Sequence, residues 1–455
     1  MQPLNGDDSI LEGLTEPQRE AVVHPGGPLL VLAGAGSGKT RVITRRIAYL
    51  VSAGVEPERI MAITFTNKAS EEMRRRVQAM VGESVRVSTF HSFCALLLRR
   101  EIEHMGRDST FSIYDRSDSQ SAVRRVIKEL ELDTNVYSPS DMLSRISSLK
   151  NDLISPDKWR QEAVGFKDKK LANIYEGYQA VLKDNNALDF DDLLVEAVRL
   201  LREHPEVLRK YQERCEHLLV DEYQDTNLPQ HLIARALQGK HKNITAVGDP
   251  DQMIYSWRGA RLENLLEFDD DFPGSTIIKL ERNYRSTANI LRAASVCIRN
   301  NLRRQDKTLW TEREDGAPVQ VRELDNSYRE GDFVAGKVQE LIDDGVPPSE
   351  IAIFYRTKYQ SLPLEKAFSS EAIPHQVVDS VGFFDRKEVK DLRAYLQLLM
   401  NPDDDEACRR IINKPSRGIG DKTLEKLAQE AERRGQSLAR TAVQWEELGS
   451  LGTRA

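Results

Sequence analysis

The sequence predicts an α/β fold: a parallel sheet with helices on its faces and a helical subdomain inserted into it, followed by part of a second α/β domain. Three observations carry this expectation. Six short apolar runs, at 29–34, 60–66, 85–90, 217–222, 243–248 and 275–280, end near polar or glycine residues. Helical spacing alternates with several of them, the pattern of parallel strands joined by crossover helices. More than a hundred residues of almost wholly helical spacing separate the third run from the fourth. A glycine-rich loop stands between the first run and the helical pattern 41–50.

That loop, Ala33-Gly34-Ala35-Gly36-Ser37-Gly38-Lys39-Thr40, has the flanks that a phosphate cradle requires. Glycines let the backbone bend so that N–H groups and a helix N-terminus face an anion. In such a loop Lys39 reaches the β- and γ-phosphates and the Thr40 hydroxyl ligates Mg²⁺. Ala33 stands where the usual pattern has glycine. An ordinary glycine turn is the alternative, and the loop alone does not say what a nucleotide would drive.

The second run ends in Thr64-Phe65-Thr66-Asn67, an aromatic among small polar residues. Helical spacing at 96–103, 119–132 and 171–183 then fills the insertion. The fourth run, Leu218-Leu219-Val220-Asp221-Glu222, delivers Asp221 at the C-terminal end of a strand, where it can hold Mg²⁺ directly or through water. Glu222 is then placed as general base for an attacking water; two solvated acids at a strand end are the competing reading. The fifth run leads through Gly248-Asp249-Pro250-Asp251-Gln252 into Tyr255-Ser256-Trp257-Arg258. Exposed aromatics among Thr, Asn and Arg suit base stacking, worth about 1–3 kcal/mol per base. Singly, Phe65 or Trp257 reads as core and Gln252 as a surface amide. Further strand-like runs at 319–324, 351–355 and 375–378 alternate with helical patterns at 328–343 and 388–400, so the second α/β domain is expected from about 278.

The 455 residues are 40% hydrophobic and 30% charged, which suits globular domains with their own cores. No apolar run is long enough for a membrane helix, and the polar start of the chain is not a signal peptide. Cys94, Cys215, Cys297 and Cys408 are too far apart for a metal-ligand pair and read as reduced core residues of a cytoplasmic protein. A net charge of −7 argues against coating nucleic acid through bulk charge, but leaves room for a local groove.

In this order the segments resemble the superfamily 1A helicases of the UvrD/Rep/PcrA type, from 14 to 420. The resemblance implies a P-loop NTPase (RecA-like) parallel sheet with an inserted helical subdomain, plus part of a second RecA-like domain. The implied domains are 1–92 with 197–277 for the ATP-binding domain, and 93–196 for the insertion. Residues 278–398 would be the first part of the second RecA-like domain, and 399–455 the start of a further helical subdomain. Gln18 would read the adenine edge, and residues 33–41, Arg41 included, would hold the nucleotide. Thr64, Phe65 and Asn67 match a motif on the single-strand track, and Ser88-Thr89-Phe90-His91-Ser92-Phe93 another. Leu188-Asp189-Phe190-Asp191-Asp192-Leu193 is a further signature. Asp221, Glu222, Gln224 and Asp225 fall on the metal-binding motif. Gln252 would link the γ-phosphate to DNA stacked on Tyr255 and Trp257, beside Arg258. In Asn283-Tyr284-Arg285-Ser286-Thr287, Tyr284 would stack on adenine and Arg285 reach the γ-phosphate from the second domain. A guanidinium aimed at transferring phosphate is a strong electrostatic stabiliser; a surface salt bridge is the plainer reading. Arg356 would touch a DNA phosphate, and Pro415-Ser416-Arg417-Gly418-Ile419-Gly420 duplex DNA, or else form an ordinary helix cap.

The implied function is an ATP- and Mg²⁺-dependent DNA helicase or translocase. It would move 3′ to 5′ on single-stranded DNA, act at single-strand/duplex junctions, and serve repair or replication with protein partners. Met253 stands where serine is usual, a small departure. The family's last two motifs do not occur before Ala455, and 446–455 has no domain-closing character. The expectation is therefore an N-terminal fragment that unwinds little. An ATP- and DNA-binding module without turnover and a P-loop ATPase unrelated to DNA are the competing readings.

Overall fold

Each of the six apolar runs forms a strand, because continuous aliphatic side chains can be buried on both faces of a parallel sheet. The computed structural model of the chain describes residues 8–301, 307–378 and 386–444. The start of the chain at 1–7 and the ending at 446–455 lie outside the described residues. Two compact units divide the chain, 1–316 with 394–455, and 317–393.

The first unit opens with α1 (Glu16–Val23), β1 (Leu29–Ala33), α2 (Lys39–Ser52), β2 (Ile60–Thr64), α3 (Asn67–Val81), β3 (Arg86–Thr89) and α4 (Phe90–Glu101). The insertion follows with β4 (Ser112–Tyr114), α5 (Arg116–Glu129), α6 (Pro139–Asn151), α7 (Pro156–Glu162), α8 (Phe166–Asp184) and β5 (Ala187–Asp189). The chain returns through α9 (Phe190–Glu203), α10 (Pro205–Glu213), β6 (His217–Val220), α11 (Leu228–Leu237), β7 (Ile244–Gly248), α12 (Glu263–Leu266), α13 (Phe268–Asp271), β8 (Thr276–Leu280) and α14 (Ala288–Ile298). The main sheet is parallel with order β3-β2-β6-β7-β1-β8. Its two-residue period sorts the core: Leu30, Leu32, Met61 and Ile63 pack on one face, and Leu29, Val31, Ala33, Ile60 and Ala62 on the other.

Three features depart from the expectation. β8, which spans the expected boundary at 278, pairs with β1 from Leu29↔Thr276 to Ala33↔Leu280 and so completes the first sheet. α4 and α9, expected inside the insertion, contribute Phe93, Leu97, Leu193 and Leu200 to the sheet's own core, while a separate core from Tyr114 to Ala187 serves the insertion. The insertion also carries a two-stranded parallel sheet, β4 with β5, too short to stand out from the helical spacing around it.

The unit 317–393 holds α15 (Ser327–Asp343) and α16 (Ser361–Ser370), packed around Ala335, Val338, Ala367, Phe368 and Ile373. A Cβ on Gly331 would sit 2.8 Å from the Pro363 carbonyl oxygen, so glycine is what lets the two helices approach. The runs at 319–324, 351–355 and 375–378 form no strands among the described residues of this unit. Apolar residues fill strands only where a neighbour supplies ladder partners, and Val321 and Phe354 are instead almost fully exposed.

α17 (Lys387–Met400), α18 (Asp405–Ile411), α19 (Asp421–Arg434) and α20 (Leu438–Val443) follow. The start of this segment is joined to the insertion by buried polar contacts. Asn401 Nδ2 donates to Ser112 Oγ, Asn185 O and Asn186 O, and the Tyr114 hydroxyl donates to Asp404 Oδ1 at 2.9 Å. Arg417 donates to the carbonyls of Ile411, Ile412 and Lys414, which makes its glycine-rich segment a helix cap for α18. Cys94, Cys215 and Cys408 are buried as expected, but Cys297 is exposed, because Leu291 alone is buried on α14. No described helix is long and apolar enough to cross a membrane.

Candidate nucleotide and nucleic-acid sites

Both candidate sites lie at the C-terminal edge of the main sheet, where strands end and capped helices begin. Thr66 Oγ1 accepts the Ala69 N–H to start α3, and Thr89 Oγ1 the Ser92 N–H to start α4. Asp189 Oδ1 accepts from Asp192 to start α9, and Asn227 Oδ1 from Gln230 to start α11. These caps hold Phe65, His91 and Phe190 close to well-fixed helix starts.

The loop after β1 surrounds one side of a cavity of about 430 Å³, lined by Gly36, Gly38, Lys39, Thr40, Arg41, Asp221, Glu222, Gln252 and Arg285 among others. Gly36 and Gly38 have φ of +66° and +93°, open to glycine at little cost. A Cβ on Gly36 would lie 2.6 Å from Asn283 Nδ2. The loop is pinned from both sides: Gln18 Nε2 donates to Ser37 O at 2.9 Å, Asn283 Nδ2 to Ala35 O at 2.6 Å, and the Tyr284 N–H to Gly36 O at 2.9 Å. The first amides of α2 have no acceptor within the helix and belong to residues that line the cavity.

Lys39 Nζ lies 3.3 Å from Glu222 Oε2, and it is buried without a well-formed hydrogen bond. Burial and the neighbouring Glu222 push the Asp221 carboxyl up to about 7, against the pull of Lys39. Glu222 has φ of +51°, a left-handed conformation that a non-glycine residue adopts at a cost of about 1–3 kcal/mol. Its carboxylate accepts from Gln224 Nε2 at 2.9 Å. Gln224 Oε1 in turn accepts the Asp249 N–H, and Asp249 Oδ2 accepts from Gln252 Nε2 at 2.6 Å. The segment after β6 is thus wired to the segment after β7 through one amide side chain.

The second cavity, about 550 Å³, is lined by Thr64, Phe65, His91, Phe190, Asp225, Asn227, Trp257 and Arg258 among others. Phe65 stacks on Tyr255 with centroids 4.6 Å apart, and Tyr255 is tilted against Trp257 at 6.1 Å. Two of these rings already cover each other, and Trp257 is 65% exposed. The Arg258 guanidinium lies 4.6 Å from the Trp257 centroid. His91 meets Phe190 at 5.8 Å; burial and Arg258 hold its imidazole down to about 4, so it is neutral at neutral pH.

Most expected residues line one of these two cavities; Gln18, Ala33, Gly34, Ala35, Ser37, Asn67, Tyr255, Tyr284 and Arg356 are in neither lining. Ala33 is the last residue of β1, with its side chain in the core. The Thr64 hydroxyl is engaged with Ser70 Oγ and Thr66 O. Asn67 is exposed at the first position of α3. Tyr284 is 37% exposed beside Arg282 and outside the cavity lining. Arg356 lies exposed in the unit 317–393. Arg285, expected from a second domain, sits in the same unit as the glycine loop because β8 closes that sheet.

Sequence reasoning missed Lys307, whose ammonium pairs with Asp249 and with Asp251 Oδ2, the latter at 3.0 Å. Burial and the charge of Lys39 lower it to about 8. No motif marks it. Phe190 stood in a quoted segment without a role; its aromatic character directly before two acids was the available signal.

The family model described as the UvrD/REP helicase N-terminal domain matches residues 14–273, and that of the UvrD-like helicase C-terminal domain matches 278–445. The ATP-dependent DNA helicase PcrA of Bacillus subtilis is 44% identical over 447 residues, 97% of this chain and 60% of that protein. PcrA of Staphylococcus epidermidis is 44% identical over 424 residues, 92% of this chain and 58% of its own length. The chain therefore spans about three-fifths of the length of these relatives. The phosphate-loop geometry, the order of its partner segments and these matches together place the chain in the UvrD/REP helicase family.

Proposed function

We propose that the chain supplies the ATP-hydrolysing and single-strand-gripping part of a DNA helicase, coupling the two cavities across one turn. The observation that carries this reading is the segment after β6. Asp221 and Glu222 line the first cavity, while Asp225 and Asn227, a few residues on, line the second. A change at the phosphate end is therefore felt directly at the stacking end, with Gln224 fixing the turn between them.

The donor set fits MgATP: the first amides of α2 with Lys39 for phosphates, and the hard oxygens of Thr40 and Asp221 for the metal. Mg²⁺ held by Thr40 and Asp221 would supply charge neutralisation at the phosphates. Lys39 binds the β- and γ-phosphates, Glu222 accepts a proton from the attacking water, and Gln252 and Arg285 orient and stabilise the terminal phosphoryl group. Trp257, Phe190 and the Phe65–Tyr255 pair carry bases by stacking, with Arg258 and His91 beside them. Movement is 3′ to 5′, as the resemblance implies, from single-strand/duplex junctions, in repair or replication in the cytoplasm.

Phosphate release with and without single-stranded DNA tests this. The Lys39→Ala variant is expected to lose about 10²-fold or more in hydrolysis while keeping its DNA binding. The Trp257→Ala variant is expected to weaken DNA binding by about 1–3 kcal/mol and keep basal hydrolysis. Hydrolysis indifferent to DNA in the unmodified chain would instead support an ATPase unrelated to nucleic acid. Duplexes with 3′ or 5′ tails then decide direction and whether strands separate at all.

A further inference from the structure

We propose that His104, His204 and Glu206 form a site for one divalent transition-metal ion of the zinc class, stapling the far ends of α4 and α9. Among the described residues these are the one group of three histidine, cysteine or acidic side chains whose donor atoms converge, all within 4.8 Å of one another. His104 Nδ1 lies 3.7 Å from Glu206 Oε1, and His204 Nδ1 lies 3.2 Å from that same oxygen. With metal bonds of about 2.0–2.2 Å, neighbouring donors of a tetrahedral ion sit roughly 3.3–3.5 Å apart. The two observed separations straddle that edge. The third edge closes by turning the exposed His104 ring, whose centroid is 5.5 Å from that of His204.

The ligands come from two pieces of backbone far apart in sequence, each with its own anchor. His104 sits in the short turn after α4, and His204 lies between α9 and α10, its N–H donating to Leu200 O. Glu206 is in the first turn of α10. Behind His104, Glu101 Oε2 is 3.8 Å from the ring's other nitrogen. This carboxylate is buried and held by Lys210 Nζ at 2.6 Å and the Tyr211 hydroxyl at 3.2 Å. At 3.8 Å this buried carboxylate makes no hydrogen bond to the ring, but it stands where the turn of the His104 ring can bring the second nitrogen to it, the contact that orients a ligating imidazole. Two imidazoles and one carboxylate, with room for water as fourth ligand, select zinc-like ions over Mg²⁺ or Ca²⁺.

The position gives the ion a structural task. α4 and α9 run side by side: their first turns bring His91 and Phe190 together at the stacking cavity, and their last turns lead to His104 and His204. The twelve residues of α4 separate the two ends by about 18 Å. An ion there touches neither cavity and fixes the spacing of the pair from behind.

The full chain, stripped of metal with a chelator, is titrated with Zn²⁺ by calorimetry and with Co²⁺ by visible absorption. One ion per chain is expected, with the intense visible bands of tetrahedral Co²⁺ and a rise in unfolding temperature that follows metal concentration. His104→Ala and His204→Ala should each weaken binding by about 10-fold or more, and Glu206→Gln should weaken it too. These side chains are at or near the surface, and equal unfolding temperatures without metal check that each variant folds. Absence of saturable binding below about 100 µM overturns the proposal. Binding that survives the combined His104→Ala and His204→Ala change overturns it as well, since the ion then sits elsewhere.

Discussion

Gln224 holds together the segments that line the two cavities. Its amide nitrogen donates to Glu222 and Asp225, and its carbonyl oxygen accepts from the Asp249 backbone, so one side chain ties the segment after β6 to the segment after β7. It is buried at 1% exposure. Replacing it with alanine leaves the Asp249 N–H without its acceptor and frees the strained Glu222, a loss of about 1–3 kcal/mol of local order. The Gln224→Ala variant is expected to bind single-stranded DNA as before while losing most of the stimulation of hydrolysis by DNA. A variant still fully stimulated would show that the coupling runs elsewhere. Gln224 was visible in the sequence as part of a motif with Glu222, but its bond to Asp249, 25 residues away, was not.

At the scale of elements, strands buried on both faces carry polar residues that need partners from other elements. Arg46 of α2 is fully buried and donates to Thr245 Oγ1 on β7 and to the carbonyls of Ala21, Val22 and His24 at the end of α1. Burial lowers this guanidinium to about 10, and its four bonds lock a helix end to the sheet. His217 on β6 is 5% exposed, and burial followed by the charge of Arg46 holds its imidazole down to about 4. The unfolded chain takes up that proton near pH 6.5, before the folded one does. Stability is thus full above pH 6.5 and falls as the pH drops toward 4, by about 2 kcal/mol at pH 5. Urea unfolding at pH 7.5 and pH 5 should show the unmodified chain losing about that much more than the His217→Gln variant. Equal losses would mean that His217 is not held neutral.

Across the whole first unit, the C-terminal helices are tied to the insertion by few but buried contacts. Asn401 supplies three of them. The Asn401→Ala variant should lose about 1–3 kcal/mol there, seen as faster hydrogen exchange at 401–412 with protection of β1 unchanged. Uniform loss of protection would instead make the contact part of the global core.

The six strands of the main sheet, the glycine loop and the two acids after β6 were legible in the sequence, because each is a local pattern with its own physical signature. Apolar runs report burial on both faces, and glycines report positive φ where the loop bends. What the linear order could not decide was partnership. The pairing of β8 with β1, the seating of α4 and α9 on the sheet, the stack of Phe65 on Tyr255 and the place of Lys307 among Asp249 and Asp251 all join residues far apart in sequence. The strand-like runs of the unit 317–393 mark the same boundary from the other side, since apolar spacing without a ladder partner makes no strand there. Local chemistry was written in the chain; which residues meet was decided by tertiary packing, because burial and hydrogen bonding reward neighbours in space rather than in sequence.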